Sequence, residues 1–202
     1  VRAPPPTGHL SMTADSLPSD QTVQDPVRET RCLIALGSNL GDRLENLRAG
    51  IDGLAAADGV LVDAVSKLYE TAPVGGPDQQ GPYLNAALVA TTTLGAAELL
   101  RLMHGIEALR DRERTVHWGP RTLDLDLLVY GDLVSDGPSL QIPHPRQHER
   151  RFVLVPVCDV APDLVHPVLG RTMRELLAEL PVEPGDLTAI DDDWHQQQEV
   201  SP

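Results

Sequence analysis

The chain has 202 residues, a formal net charge of −14 and 41% apolar residues, of which few are aromatic. That length suffices for one domain with a core of Leu, Val, Ile and Ala, and no apolar run reaches the ~20 residues of a membrane span. The acidic balance argues against nucleic acid or an anionic membrane as a partner, since both would be repelled.

Residues 1–30 are rich in Pro, Ser, Thr and Asp, lack apolar periodicity and are expected to be a disordered tail. The chain opens on Val, with Met at position 12, which fits a non-Met start codon or an over-extended start. The run 31–36 is a short buried strand that ends at Gly37-Ser38-Asn39. The turn Gly37-Ser38-Asn39-Leu40-Gly41-Asp42 has the look of a phosphate loop but lacks the Gly-Lys-Ser/Thr ending; a tight strand-to-helix turn accounts for it as well. Asp42 and Glu45 resemble a capping box, and Leu44, Leu47, Ile51 and Leu54 form one helical stripe that Gly59 stops. Residues 60–69 read as one β-branched strand, 71–82 as a Gly/Pro/Gln loop and 83–92 as an alternating strand. A helix over 96–110 turns Leu99, Leu102, Ile106 and Leu109 inward. An arginine-rich loop follows and leads to a strand over 122–130; then come a loop through Pro143 and Pro145, a short helix or turn over 149–157, and a helix over 172–180.

The order β-α-β-β-α-β with helical additions predicts an α+β, ferredoxin-like antiparallel sheet with helices on one face, leaving the other face open for a site. The domain is expected over 31–182, with 183–202 a C-terminal tail. Cys32 and Cys158, each in an apolar run, read as reduced thiols; with no basic-then-apolar leader, a cytoplasmic location is expected.

Two features carry chemistry. Asp124 and Asp126 stand two residues apart on one strand, so both carboxylates face one side, about 7 Å apart. They are either a solvated strand face or a Mg²⁺ site, and the crowding of like charges beside Leu123, Leu125 and Leu127 is relieved by a cation. Arg112, Arg114 and Arg121 lie just before them, and guanidinium forks suit phosphate oxygens. Tyr83, Asn85 and Phe152 serve either as core or as a stacking site for a flat heterocycle. Paired carboxylates on such a sheet also suit a nucleotidyl transferase or cyclase, and a small-ligand regulatory module shares the fold.

The segments 34–43, 69–73, 83–86, 117–126, 142–146 and 149–152, with Arg121-Thr122-Leu123-Asp124-Leu125-Asp126 the most specific, resemble the 6-hydroxymethyl-7,8-dihydropterin pyrophosphokinase family. The resemblance implies transfer of the β,γ-diphosphoryl unit of ATP to the pterin hydroxymethyl oxygen, with release of AMP, in folate biosynthesis. It implies Asp124 and Asp126 as ligands of two Mg²⁺ ions, Asp124 lying also near the attacking pterin hydroxyl, with Arg112 and Arg121 stabilising the transferring phosphates. Tyr83 and Phe152 would sandwich the pterin, Asn85 with Thr71, Pro73 and Val74 would read its edge, and Trp118 would close over the site. Glu107, Arg114, His144 and Arg150 would hold the nucleotide together with Arg121 and Trp118, with Leu100 and Leu127 beside the adenine. The implied partners are these two small molecules, and a monomer is expected; Ala72 stands where many members carry proline.

Overall fold

β1 (Thr30–Ser38) is an interior strand of the sheet, paired along its whole length on one side and over Cys32–Gly37 on the other. The computed structural model describes residues 28–73, 80–110, 121–182, 185 and 187–196. The remaining elements are α1 (Arg43–Ala55), β2 (Val60–Val65), β3 (Leu68–Thr71), β4 (Tyr83–Thr92), α2 (Ala96–Ala108), β5 (Asp124–Tyr130), β6 (Ser135–Gly137), β7 (Leu140–Ile142), α3 (Arg151–Val160), α4 (Met173–Glu179) and β8 (Leu187–Asp191). The main sheet runs β5-β1-β4-β3-β8, with β2 pairing the far half of β4; its paired neighbours are antiparallel. The ferredoxin-like order expected from the sequence is present.

One sheet face carries Ile34, Leu36, Leu84, Ala86, Leu88, Leu125 and Leu127, and they pack on Leu47 and Leu54 of α1 and on Leu99, Met103 and Ile106 of α2. The capping at the start of α1 is as anticipated on one side: the Asp42 carboxylate accepts from the Glu45 amide at 3.1 Å. The second face is not left bare. Leu33, Ala87, Val89, Leu128 and Val129 are covered by Val153, Leu154 and Val157 of α3 and by Met173 and Leu176 of α4. Leu128 and Val129 both reach that face because the β1–β5 register shifts at Leu33/Ile34, a bulge that breaks the alternation. Only the half of this face near the start of β4 and β5 stays open, and the site lies there.

Residues 60–69 form two strands rather than one. Ser66 interrupts the ladder: its hydroxyl accepts from the Ala87 amide at 2.9 Å and donates to the Lys67 carbonyl at 2.7 Å. The Ser66 carbonyl is thereby freed, and it accepts from the Trp194 indole N–H at 2.9 Å. Trp194 is fully buried in the α1-side core, Arg48 Nε donates to its carbonyl, and β8 pairs with β3. The tail expected over 183–202 is therefore corrected for residues 187–196, which complete the sheet. The β6–β7 hairpin was expected as loop; strands of three residues are too short to show a period. Of the N-terminal stretch expected as a tail, residues 1–27 lie outside the described residues.

Candidate active site

Strand register assembles the site. Tyr69, Asn85, Gly37 and Asp124 stand opposite one another in a row across β3, β4, β1 and β5, and Ala87, Ala35 and Asp126 form the next row. Neighbouring strands are about 4.8 Å apart, so the Asn85 and Asp124 backbones lie roughly 10 Å apart across Gly37. Because Gly37 has no side chain and Ala35 only a methyl group, this strip is the floor of a cavity of about 390 Å³. One wall carries Arg121, Asp124 and Asp126, and the opposite wall carries Thr71, Ala72, Tyr83 and Asn85. Phe152 and Val153 at the start of α3 form the third side, with His144, Arg146 and Arg150 at one end.

Each wall is internally braced. Asn85 Nδ2 donates to Thr71 Oγ1 at 2.8 Å, which fixes the carboxamide and turns its Oδ1 toward the floor, 3.7 Å from where a side chain on Gly37 would begin. Arg121 forms an ion pair with Asp124, side chains that are 30% and 17% exposed. A cation site at Asp124 is thus occupied by a guanidinium when no other cation is bound. Burial raises the Tyr83 hydroxyl pKa, so the ring remains neutral. Arg150 lies 5.5 Å from the Phe152 ring centroid, a cation–π distance, and burial followed by the nearby Arg146 lowers its pKa. His144 is pushed down to about 4, chiefly by burial and then by Arg150 and Arg146. Its imidazole is neutral at pH 7, with Nδ1 accepting from the Arg146 amide at 3.3 Å, so the proton resides on Nε2.

A second cavity of about 140 Å³ adjoins the first. Asp126 and His144 line both, and Leu100, Leu127, Leu140 and Ile142 make the second mostly apolar. A slot of this kind accepts a flat ring while leaving its polar edge near His104 and Gln141.

The structure therefore brings together Thr71, Tyr83, Asn85, Arg121, Asp124, Asp126, His144, Arg150 and Phe152 around one cavity, with Leu100 and Leu127 beside it. Glu107 is placed differently. It is buried, does not line either cavity, and its Oε1 accepts from the Leu125 amide at 2.8 Å, which satisfies the outer edge of β5. Pro73 follows Thr71 and Ala72 but is absent from the lining. Val74, Arg112, Arg114 and Trp118 lie outside the described residues. Sequence reasoning missed Ala35 and Gly37 as the floor, and Arg146 as a wall residue. The signal for the floor was a pair of small residues alternating within an otherwise bulky strand.

Among the described residues no third His, Cys, Asp or Glu joins Asp124 and Asp126 in a metal-binding group. Two carboxylates on one cavity wall fit Mg²⁺, which keeps several waters and takes its other oxygens from substrate phosphates, better than a metal that needs a full protein cage.

Residues 33–162 match the family model described as 7,8-dihydro-6-hydroxymethylpterin-pyrophosphokinase (HPPK). The chain is 41% identical over 153 residues to the 2-amino-4-hydroxy-6-hydroxymethyldihydropteridine pyrophosphokinase of Pseudomonas aeruginosa, covering 76% of this chain and 93% of that protein. It is 45% identical over 152 residues to the enzyme of the same name from Methylorubrum extorquens, covering 75% and 94%. Among solved structures, Plasmodium falciparum HPPK-DHPS superposes with a TM-score of 0.59 at 16% identity, covering 75% of this chain and 43% of that one; this likeness speaks to the fold alone.

Proposed function

The chain belongs to the 7,8-dihydro-6-hydroxymethylpterin-pyrophosphokinase family, and from that premise we infer how its cavity divides the work between two substrates. The protein is a diphosphate-transferring enzyme of folate biosynthesis. It moves the β,γ-diphosphoryl unit of ATP to the hydroxymethyl oxygen of 6-hydroxymethyl-7,8-dihydropterin. The pterin hydroxyl oxygen bonds to the β-phosphorus, the bond from that phosphorus to the α,β-bridging oxygen breaks, the hydroxyl proton is lost to water, and AMP leaves with the bridging oxygen.

The pterin occupies the side of the cavity walled by Thr71, Tyr83 and Asn85. Its ring stacks between Tyr83 and Phe152, and Asn85 Oδ1 accepts from its edge. The phosphates lie along Arg121, Asp124 and Asp126, with the adenine in the apolar slot beside Leu100 and Leu127. Transfer of this type needs positioning and charge neutralisation more than a strong base. Arg121 and Arg150 supply fixed positive charge, and the neutral His144 donates from Nε2. Asp124 and Asp126 would hold Mg²⁺, two ions by family resemblance, which when bound neutralises phosphate charge. Asp124, which pairs with Arg121 in this structure, would serve as a metal ligand, and the Arg121 guanidinium beside it would serve a phosphate oxygen. Arg112, Arg114 and Trp118 are assigned to the same phosphate side by family resemblance.

The observation that carries this reading is the row Asn85–Gly37–Asp124: a ring-reading amide and a carboxylate face each other across a floor with no side chain. We take residues 30–196 as one domain, acting on these small molecules as a monomer in the cytoplasm. Among the described residues no helix is long and apolar enough to cross a membrane. Incubation with ATP, Mg²⁺ and 6-hydroxymethyl-7,8-dihydropterin, followed by separation of nucleotides, tests the assignment. AMP should form only when the pterin is present; its absence from folded protein would overturn the reading.

A further inference from the structure

The turn between β1 and α1 has the look of a phosphate loop, yet its hydrogen bonds run to protein. Gly41 adopts the left-handed conformation (φ 67°) and Asp42 caps α1, which leaves Asn39 buried between two other segments. The Asn39 amide donates to the Arg121 carbonyl at 3.0 Å, and its Oδ1 accepts from the Arg121 amide at 2.7 Å. Its Nδ2 donates to Gln80 Oε1 at 3.2 Å, and the same oxygen accepts from the Tyr83 hydroxyl at 3.3 Å. The direction of each bond is fixed. A main-chain N–H only donates, so Oδ1 must face Arg121 and Nδ2 must face Gln80. One carboxamide thus grips Arg121 on one wall and, through Gln80, the Tyr83 ring on the other.

We propose that Asn39 is a positioning residue that sets the phosphate-side Arg121 and the pterin-side Tyr83 relative to each other. It is not part of the cavity lining and acts through both residues. The residue type follows from the task. The side chain must accept on one side and donate on the other within one rigid plane; Ala does neither, and Asp lacks the donor. Arg43 reinforces the pterin side: it pairs with Glu70 at 2.8 Å and donates to the Pro82 carbonyl at 2.8 Å, the residues just before Thr71 and Tyr83.

This inference rests on the pyrophosphokinase reading, and its test separates the two. Steady-state kinetics of wild type, Asn39→Ala, Gln80→Ala and the double variant, each varied in ATP and in pterin, are compared per folded molecule. Gln80→Ala should raise KM for the pterin about tenfold and leave KM for ATP unchanged, since it releases only Tyr83. Asn39→Ala should raise KM for the pterin by a similar factor and lower kcat as well, because Arg121 is also released. The double variant should bind pterin no worse than Asn39→Ala, since both substitutions break one path. Asn39→Asp, which keeps an acceptor for the Arg121 amide, should restore most of the lost kcat. Independent, multiplicative effects on pterin KM, or a lowered melting temperature with unchanged kinetic constants, would overturn the proposal. If Asn39→Ala does not fold, Gln80→Ala with unchanged pterin KM overturns it alone. Absence of turnover in the wild type would instead remove the reaction assignment.

Discussion

Replacing Gly37 by alanine separates the needs of the fold from those of the site. The backbone at Gly37 does not lie in the left-handed region, and a Cβ there would meet Asn85 Oδ1 at 3.7 Å and Asp124 Cβ at 3.9 Å, ordinary contact distances. The strand therefore accepts the methyl group, and lost chain entropy favours alanine by about 0.5–1 kcal/mol. For a domain of this size the melting temperature should stay level or rise by up to about 4 °C. The ligand meets a different balance. The methyl group stands on the cavity floor between the Asn85 amide and the carboxylate wall, so a pterin placed as proposed must tilt or withdraw. Forcing one extra methyl into a filled space costs about 1–3 kcal/mol, which is roughly 5- to 150-fold in Kd. ATP, proposed to lie along Arg121, Asp126 and the adjoining slot, should lose less than about threefold. Calorimetric titration with each ligand, alongside thermal unfolding, measures all three quantities. Wild-type pterin affinity in a folded Gly37→Ala protein would show that the ring does not lie across this floor, and a large drop in melting temperature would show that the packing argument is wrong.

Other perturbations reach different parts of the structure. Asp126→Asn should cut turnover by about 10²-fold or more while melting changes little, because a charge is removed from a wall rather than from the core; AMP release by the variant at the wild-type rate would contradict its role. His144 has a folded pKa of about 4 against an ordinary 6.5, so it contributes stability above pH 6.5 that is lost as pH falls toward 4. The ceiling is about 3 kcal/mol, reduced by partial solvent exposure; urea unfolding at pH 7 and pH 4.5 should show a shallower loss in His144→Asn, and equal losses would refute the assignment. Trp194→Phe removes the bond to the Ser66 carbonyl and should cost about 1 kcal/mol, whereas Trp194→Ala should cost about 3–5 kcal/mol; near-neutral effects of both by denaturant titration would mean that the C-terminal segment does not share the core.

Much of this arrangement was legible because two periodicities coincide with two faces. Leu84, Ala86 and Leu88 alternate with Tyr83, Asn85 and Ala87, which placed the helix side and the site side of β4 before any contact was known. Asp124 and Asp126 followed from the same period on β5. What the pattern could not give depends on long-range closure. The covering of Leu33 and Val89 by α3 and α4 needs the third dimension, and the bulge at Leu128 breaks the alternation that would have signalled it. Leu187–Asp191 is short, largely exposed and flanked by Pro, Gly and Asp, so nothing local distinguishes it from a tail. Glu107, assigned to the nucleotide by the resemblance alone, accepts from the Leu125 amide, a contact across 18 positions that no local pattern announces.

The pairing of β3 with β8 also bears on how the chain reaches this state. Tyr69 meets Ala189 about 120 positions later, the sort of contact that forms late because so long a loop must close first. Until then the strand pairing of β3 is with Tyr83, Leu84 and Asn85 of β4. Its outer edge meanwhile offers unpaired N–H and C=O groups to any passing strand. The wall proposed to read the pterin is therefore also a sheet edge open to mispairing, and β8 serves as its protective cover as much as its sixth strand.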